Sequence, residues 1–279
     1  MQVQNTGPNI WTGSKKTEQT LRRTSQELNK ILKRLSTSMR INSASDDAAG
    51  LAISEMLTTR IRGYKMASQN IENSISAFSI ADGAARGVSS LLQRQRELAI
   101  QASNSTLKDS DRVALDKEFQ ALSREIDRIS QSASFNKQGV AAGEDLASGT
   151  AVIQSGPEAA DQITMPQIDL RTAITGISGA SLLTLEDAVK AIGSLDEAIS
   201  SVNSQRSTLG SAVNRLESAV NNLSVAIINT QAAESVIRDQ DMAAGLAELI
   251  RQQLLQEGSL RAFSRFKTIN SNHILGLLG

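Results

Sequence analysis

The chain has 279 residues, room for one elongated domain or two compact ones, and its 29 basic and 29 acidic side chains cancel, so no overall charge draws it to nucleic acid or membrane. It has no cysteine, which excludes a disulfide frame and any thiolate metal site, and its one histidine, His273, rules out a two-histidine zinc motif. Aromatics make up only 3% of the residues, too few for a bulky globular core or for base stacking, whereas small aliphatic residues at regular spacing suit thin helix–helix seams.

Met1 to Trp11 contains no basic run followed by an apolar one, so no secretory signal is expected. From Thr17 to Met39 the apolar residues Leu21, Leu28, Leu32, Leu35 and Met39 follow steps of three, four and seven, the narrow stripe of a pairing helix. The same segment is basic. Lys15, Lys16, Arg22, Arg23, Lys30, Lys33, Arg34 and Arg40 stand against Glu18 and Glu27, as a solvated face or one half of a charge-matched surface.

Adjacent Asp46 and Asp47 are the most enzyme-like pair. Neighbours in sequence diverge on a helix, so with Ser45 they are better placed to cap a helix N-terminus than to share a proton. A second helix carries Ile71, Ile75, Phe78, Ala81, Ala85, Val88, Leu92 and Ala99 in its seam and ends in the polar cluster Ser103–Thr106. On that helix, Gln93-Arg94-Gln95-Arg96-Glu97-Leu98 reads first as a solvated face. A third helix is expected after Asp109 and Ser110, taken as its caps, with Leu115, Phe119, Leu122, Ile126 and Ile129 in the seam.

Residues 140–180 lose the helical period. Short β-like pieces at 151–154, 162–165 and 167–170, with a turn at Ser155-Gly156-Pro157, suggest a hairpin or three-stranded patch. The longest helix then begins near Leu185, its seam running through Ile192, Leu195, Ile199, Val202, Leu209, Val213, Leu216, Val220, Leu223 and Ile227, with Arg206 filling one heptad position. Another helix, from Met242 to Phe266, carries Leu246, Leu249, Leu254, Leu255 and Leu260. The expected fold is mainly α: an elongated antiparallel helical rod with coiled-coil seams and a small β-hairpin region at about 150–170. No nucleophile elbow and no Gly-rich phosphate loop is present, so no enzyme activity, cofactor or metal is expected. No segment is long and apolar enough for membrane insertion.

From Leu35 to Ser54 the sequence LSTSMRINSASDDAAGLAIS closely resembles bacterial flagellin. Further matches are Ala67-Ser68-Gln69-Asn70, Gln93 to Gln101, Glu125 to Ile129 leading to Phe135-Asn136, Asn214-Arg215-Leu216-Glu217, Ala232-Ala233-Glu234-Ser235 and Arg238 to Ala243. The resemblance covers roughly residues 25–260. It implies a filament subunit whose terminal arms, 1–44 and 239–279, pair in the inner core, with 45–238 as an outer core domain that includes a β region at 140–180. Almost nothing is inserted between about Ile174 and Leu185, where the family's variable domains would stand, so the chain looks like a core-only form.

The assembly seam implied is Leu21, Leu28, Leu32 and Leu35 with Leu246, Leu249, Leu254 and Leu260. Implied partners are copies of itself, an export chaperone, the filament cap and hook-junction proteins. An animal Toll-like receptor would be met at Gln93, Arg94, Leu98 and Glu118. The implied location is the extracellular flagellar filament, reached by type III export without a cleaved signal peptide. Two segments depart from the family pattern: Gly7-Pro8-Asn9-Ile10-Trp11-Thr12 and Phe263 to Asn270. Two competing readings are a hook–filament junction protein and a coiled-coil binding module that never polymerises.

Overall fold

The computed structural model describes residues 7–135, 138–139, 150–166, 169–177 and 179–278. Six α-helices are seen among them: α1 (Gly7–Thr37), α2 (Ala48–Ala102), α3 (Asp109–Ser132), α4 (Leu170–Ile174), α5 (Leu185–Arg238) and α6 (Met242–Leu278). Two antiparallel pairs of short strands lie between α3 and α4: β1 (Ser134–Phe135) with β2 (Gln138–Gly139), and β3 (Thr150–Gln154) with β4 (Gln162–Pro166). The mainly helical class with a small hairpin is as the sequence indicates. The chain divides into two compact units, Met1–Thr59 with Thr230–Gly279, and Arg60–Asn229. Helices α2 and α5 each contribute residues to both.

In the unit formed by the chain ends, α1 packs on α6. Gly13 faces the Phe266 ring, Ser25 bonds Gln256 and Leu35 meets Gly245, so the partners descend along α6 as α1 ascends and the pair is antiparallel. A β-carbon on Gly245 would stand 2.8 Å from a Leu35 methyl, so α6 can approach only where that side chain is missing. The most buried residues of α1 are Thr24 and Ile31. Thr24 passes for an apolar residue because its hydroxyl donates to the Thr20 carbonyl at 2.9 Å, which leaves its methyl to the seam.

The other unit is built on α2, α3 and α5. Its main core joins Ala81, Ala85, Val88, Leu92 and Ala99 of α2 with Phe119 and Ile126 of α3 and Leu195, Val202 and Leu209 of α5. On α5 the fully buried positions include Ala188, Ala191, Ala198 and Ala212, one residue before the expected Ile192, Ile199 and Val213 in the last three cases. The sequence pattern selects the larger side chain. The packing selects the smaller, because alanine lets helix axes approach closely while the bulky neighbour flanks the seam. Arg206 does occupy a heptad position: its Nε lies 3.0 Å from Asp82 of α2, which also pairs with Arg86 at 2.7 Å. Burial opposes the Asp82 charge, but the two guanidiniums outweigh it and hold the carboxyl below its usual range.

The β3–β4 hairpin has Ile153 opposite Ile163, and Met165, two residues on from Ile163, shares their face of the pleat. Through Ile153 and Met165 that face closes on Ala67 and Ile71 of α2 and Leu216 of α5. Val152, on the other face, is 55% exposed. Gly63 makes the approach possible, since a β-carbon there would stand 2.6 Å from Pro157 in the turn. Of the third β-like piece, residues 167–168 lie outside the described residues, Asp169 caps α4 by accepting the Arg171 and Thr172 N–H groups, and Leu170 opens that helix.

Nor are Asp109 and Ser110 caps of α3. The cap position is Lys108, in extended backbone with no side-chain bond, and Asp109 and Asp111 lie in the first turn, where their charge suits the helix dipole. The connection before α3 is held instead by Arg112, 6% exposed, which donates to the carbonyls of Ala102, Asn104 and Leu107 and to Asp109. One guanidinium thereby satisfies the frayed end of α2 and the turn that follows. Replacing Arg112 with methionine should lower stability by about 2–4 kcal/mol, because buried carbonyls lose charged donors. The urea midpoint of the full chain would fall at constant slope; an unchanged midpoint would mean that water replaces the side chain.

Candidate assembly surfaces

Helices α1 and α6 cover each other on one side only. Leu21, Leu28 and Leu35 of α1 and Leu249 of α6 are half-buried. Leu32 is 44% exposed, Leu246 49%, Leu254 65% and Leu260 48%. The expected seam is therefore divided between the two sides of the helix pair. Part of it closes α1 on α6 within the chain, and part faces solvent together with Ile250, Leu255 and Ile269. Exposed leucines repeated along a helix have the composition of a partner surface, since covering the exposed half of each would gain about 1 kcal/mol.

Where both arms begin, the two helix breaks are tied together. Met39 and Asp239 form an antiparallel bridge, with the Arg40 N–H on the Arg238 carbonyl at 2.7 Å and the Gln240 N–H on the Ser38 carbonyl at 3.0 Å. The Arg40 guanidinium adds a bond to the Ile237 carbonyl at 2.7 Å, at the carbonyl-rich end of α5. Arg238 reaches Glu55 at 3.4 Å and Glu234 at 3.7 Å. Ser38 has φ of 56°, a left-handed conformation unusual for a residue other than glycine, at the position just after α1 ends. Sequence reading missed this clasp. The available sign was that two long helices break in matching places, each beside an arginine.

The capping role expected of Asp46 and Asp47 is divided between them. Asp47 caps α2, accepting the Gly50 N–H at 2.9 Å. Asp46 organises the preceding turn, accepting the Ser43 hydroxyl at 2.9 Å and the Asn42 and Ser43 N–H groups, with Arg34 at 4.0 Å. The Ser43 hydroxyl above all, then the Asn42 N–H, hold its carboxyl below the usual range against a smaller burial effect. A lowered carboxylate contributes stability that is full above its unfolded value, near 3.9, and vanishes as pH falls through its folded value.

On the other unit, Arg94 and Glu118 pair at 2.9 Å across α2 and α3, and Glu97 joins at 3.0 Å. The Glu118 bond first, then Glu97, raises the affinity of the Arg94 guanidinium for its proton. Gln93, Arg94 and Glu118 are exposed, and Arg94 and Glu118 are joined across the two helices. Leu98 does not share that exposure. It is 1% exposed and packed in the core with Leu92 and Phe119, so it supports the helix instead of offering an apolar anchor. Its neighbours on the same side of α2, Gln95 three residues before and Ala102 four residues after, are buried with it. Among the described residues no His, Cys, Asp and Glu cluster could hold a metal ion, and no helix is long and apolar enough to cross a membrane.

Acid titration should separate Asp46 from the other carboxylates. Asp46→Asn should lower the thermal midpoint at pH 7 and narrow the difference between pH 7 and pH about 3, because the lost part is the part that acid removes. Circular dichroism melts across that range would read it; an unchanged difference would contradict the assignment.

Residues 9–145 match the family described as bacterial flagellin N-terminal helical region, and residues 192–278 match the bacterial flagellin C-terminal helical region. A flagellin of Halalkalibacterium halodurans is 41% identical over 232 residues, covering 82% of this chain and 84% of that protein. The flagellar filament 31.3 kDa core protein of Treponema maltophilum is 35% identical over 89% of this chain and 91% of its own. Among solved structures, Bacillus cereus flagellin aligns with a TM-score of 0.51 at 33% identity, over 56% of this chain and 88% of that one. A putative flagellar hook-associated protein from Vibrio parahaemolyticus aligns with a TM-score of 0.59 over 69% of this chain and 99% of that one, but at 14% identity the likeness is of fold alone. With long matches at both ends and conserved order between them, this chain belongs to the bacterial flagellin family, structural proteins of the flagellar filament.

Proposed function

We propose that the chain polymerises through the exposed sides of α1 and α6 into the core of a flagellar filament used for swimming, with residues 1–44 and 239–279 as inner arms and 45–238 as the outer part. The observation that carries this reading is the exposed row Leu246, Ile250, Leu254 on α6, which the α1 pairing leaves uncovered. Its length of 279 residues suits a core-only subunit. Family likeness further supports delivery by type III export without a cleaved signal peptide, an export chaperone on the C-terminal arm, and a cap and hook-junction proteins as neighbours.

Leu254→Asp should leave the helix content of the monomer unchanged and abolish filament growth from sheared seeds, as seen by sedimentation and electron microscopy; normal growth would refute the role of this row. The arms of an isolated monomer should also be protease-sensitive, since a pair covered on one side offsets little of an ordering cost of about 1–2 kcal/mol per residue. Trimming roughly the first and last forty residues should abolish polymerisation.

The exposed set of Gln93, Arg94 and Glu118 is also read as the contact for an animal Toll-like receptor. Its support is an exposed arginine fork already oriented by two carboxylates, a composition common at interface hot spots. Arg94→Ala should weaken receptor-reporter activation without lowering the melting temperature. Leu98→Ala should act by another route, costing about 2–5 kcal/mol of stability. Full signalling by Arg94→Ala would exclude the contact.

A further inference from the structure

Two places in the chain carry an asparagine followed two residues later by serine or threonine: Asn104-Ser105-Thr106 and Asn222-Leu223-Ser224. Neither has proline between, and this spacing is what N-glycosylation requires. The structure separates them. Asn222 lies inside α5, where the Ser224 hydroxyl donates to the Val220 carbonyl at 3.0 Å and so does not serve the asparagine. Asn104 lies in the exposed connection between α2 and α3. Its Oδ1 accepts both the Thr106 N–H at 3.1 Å and the Thr106 hydroxyl at 2.9 Å. A backbone N–H only donates, so the oxygen faces Thr106 and the amide nitrogen, Nδ2, is turned away from it. Among the described residues no hydrogen bond engages Nδ2. A turn of this kind needs only the Thr106 N–H; the hydroxyl bond is an addition that only serine or threonine supplies at this position. The backbone of the connection is fixed separately, by Arg112 on the carbonyls of Ala102, Asn104 and Leu107.

We infer that Asn104 is the acceptor of an N-linked sugar, transferred from a nucleotide-activated donor. Two donors on Oδ1 make the Nδ2 protons more acidic, so that a base of the transferase can take one. The nitrogen then attacks C1 of the sugar. The Nδ2–C1 bond forms, the bond from C1 to the phosphate oxygen breaks, and the nucleoside diphosphate leaves with that electron pair. Asn104, Ser105, Thr106, Lys108 and Asp109 are all exposed, so the product stands in open surface and displaces no core contact. Asn104 belongs to the unit Arg60–Asn229, and its modification requires nothing of the proposed polymerisation through α1 and α6.

The test takes the full chain from the cells that make it, digests it with trypsin and measures the mass of the fragment spanning residues 97–108. Electron-transfer fragmentation, which leaves side-chain sugars attached, then locates any addition. The expected result is the added mass of one sugar or more on Asn104 and none on Asn222. In the same cells Thr106→Ala should lose the addition, Thr106→Ser should keep it and Ser105→Ala should change nothing, with all three melting like the wild type. An unmodified fragment from the wild type would overturn the inference. So would a sugar on Ser103, Ser105 or Thr106 instead, which would survive Asn104→Gln. Full modification of Thr106→Ala, or equal modification of Asn222, would overturn the part assigned to the Thr106 hydroxyl.

Discussion

Close approach of helices through small side chains is the constraint on which the rest of this structure depends. In the unit Arg60–Asn229, alanines at 81, 85 and 99 on α2 and at 188, 191, 198 and 212 on α5 are buried to 6% exposure or less. These alanines share one buried cluster with Leu92 of α2 and Leu195 and Val202 of α5, except Ala212, which joins the cluster closed by the hairpin. This suits a core with few aromatic residues: among the described residues Phe119 is the one ring in the largest fully buried side chains. It also explains why polar groups can be tolerated inside. Asp82 with Arg206, and Gln95 with Phe119 and Ser123, take places in the helix interface only with their partners facing them.

The chain-end unit obeys the same rule with a different outcome. Gly245 brings α6 against Leu35 of α1, but a two-helix pair can bury only one face of each member. Leucines on the remaining faces stay in water until another molecule covers them. That incompleteness is what the proposed polymerisation draws on. The clasp from Ser38 to Arg40 and Arg238 to Gln240 lies within the chain-end unit and ties the end of α1 to the end of α5. Backbone bonds perform this task, supported by the Arg40 guanidinium on the last carbonyls of α5.

Polar residues that look alike in the sequence have separate tasks in the fold. Arg94 and Arg96 are two positions apart on α2, yet one turns to Glu118 of α3 and the other to Asp196 of α5. Gln95, between them, points inward. A single helical segment thus serves a surface, an interhelix ion pair and the buried interior, which is why a run of charged and amide residues cannot be read as one solvated face.

Several things were determined by the sequence alone. Helical periods located the long helices because apolar spacing is a one-dimensional property of each segment, and the turn chemistry around Ser155-Gly156-Pro157 located the hairpin. The block from Leu35 to Ser54, with the matches that follow it, was enough to point to the family. Tertiary structure decided what spacing cannot express. Which of Ala191 and Ile192 enters the seam depends on the distance to a neighbouring helix. Whether Leu98 faces water depends on where Phe119 lies. How the leucines of α1 and α6 divide between a partner within the chain and one beyond it depends on which faces the pair leaves open. Each of these is settled by residues far away in the chain, and no local pattern carries that information.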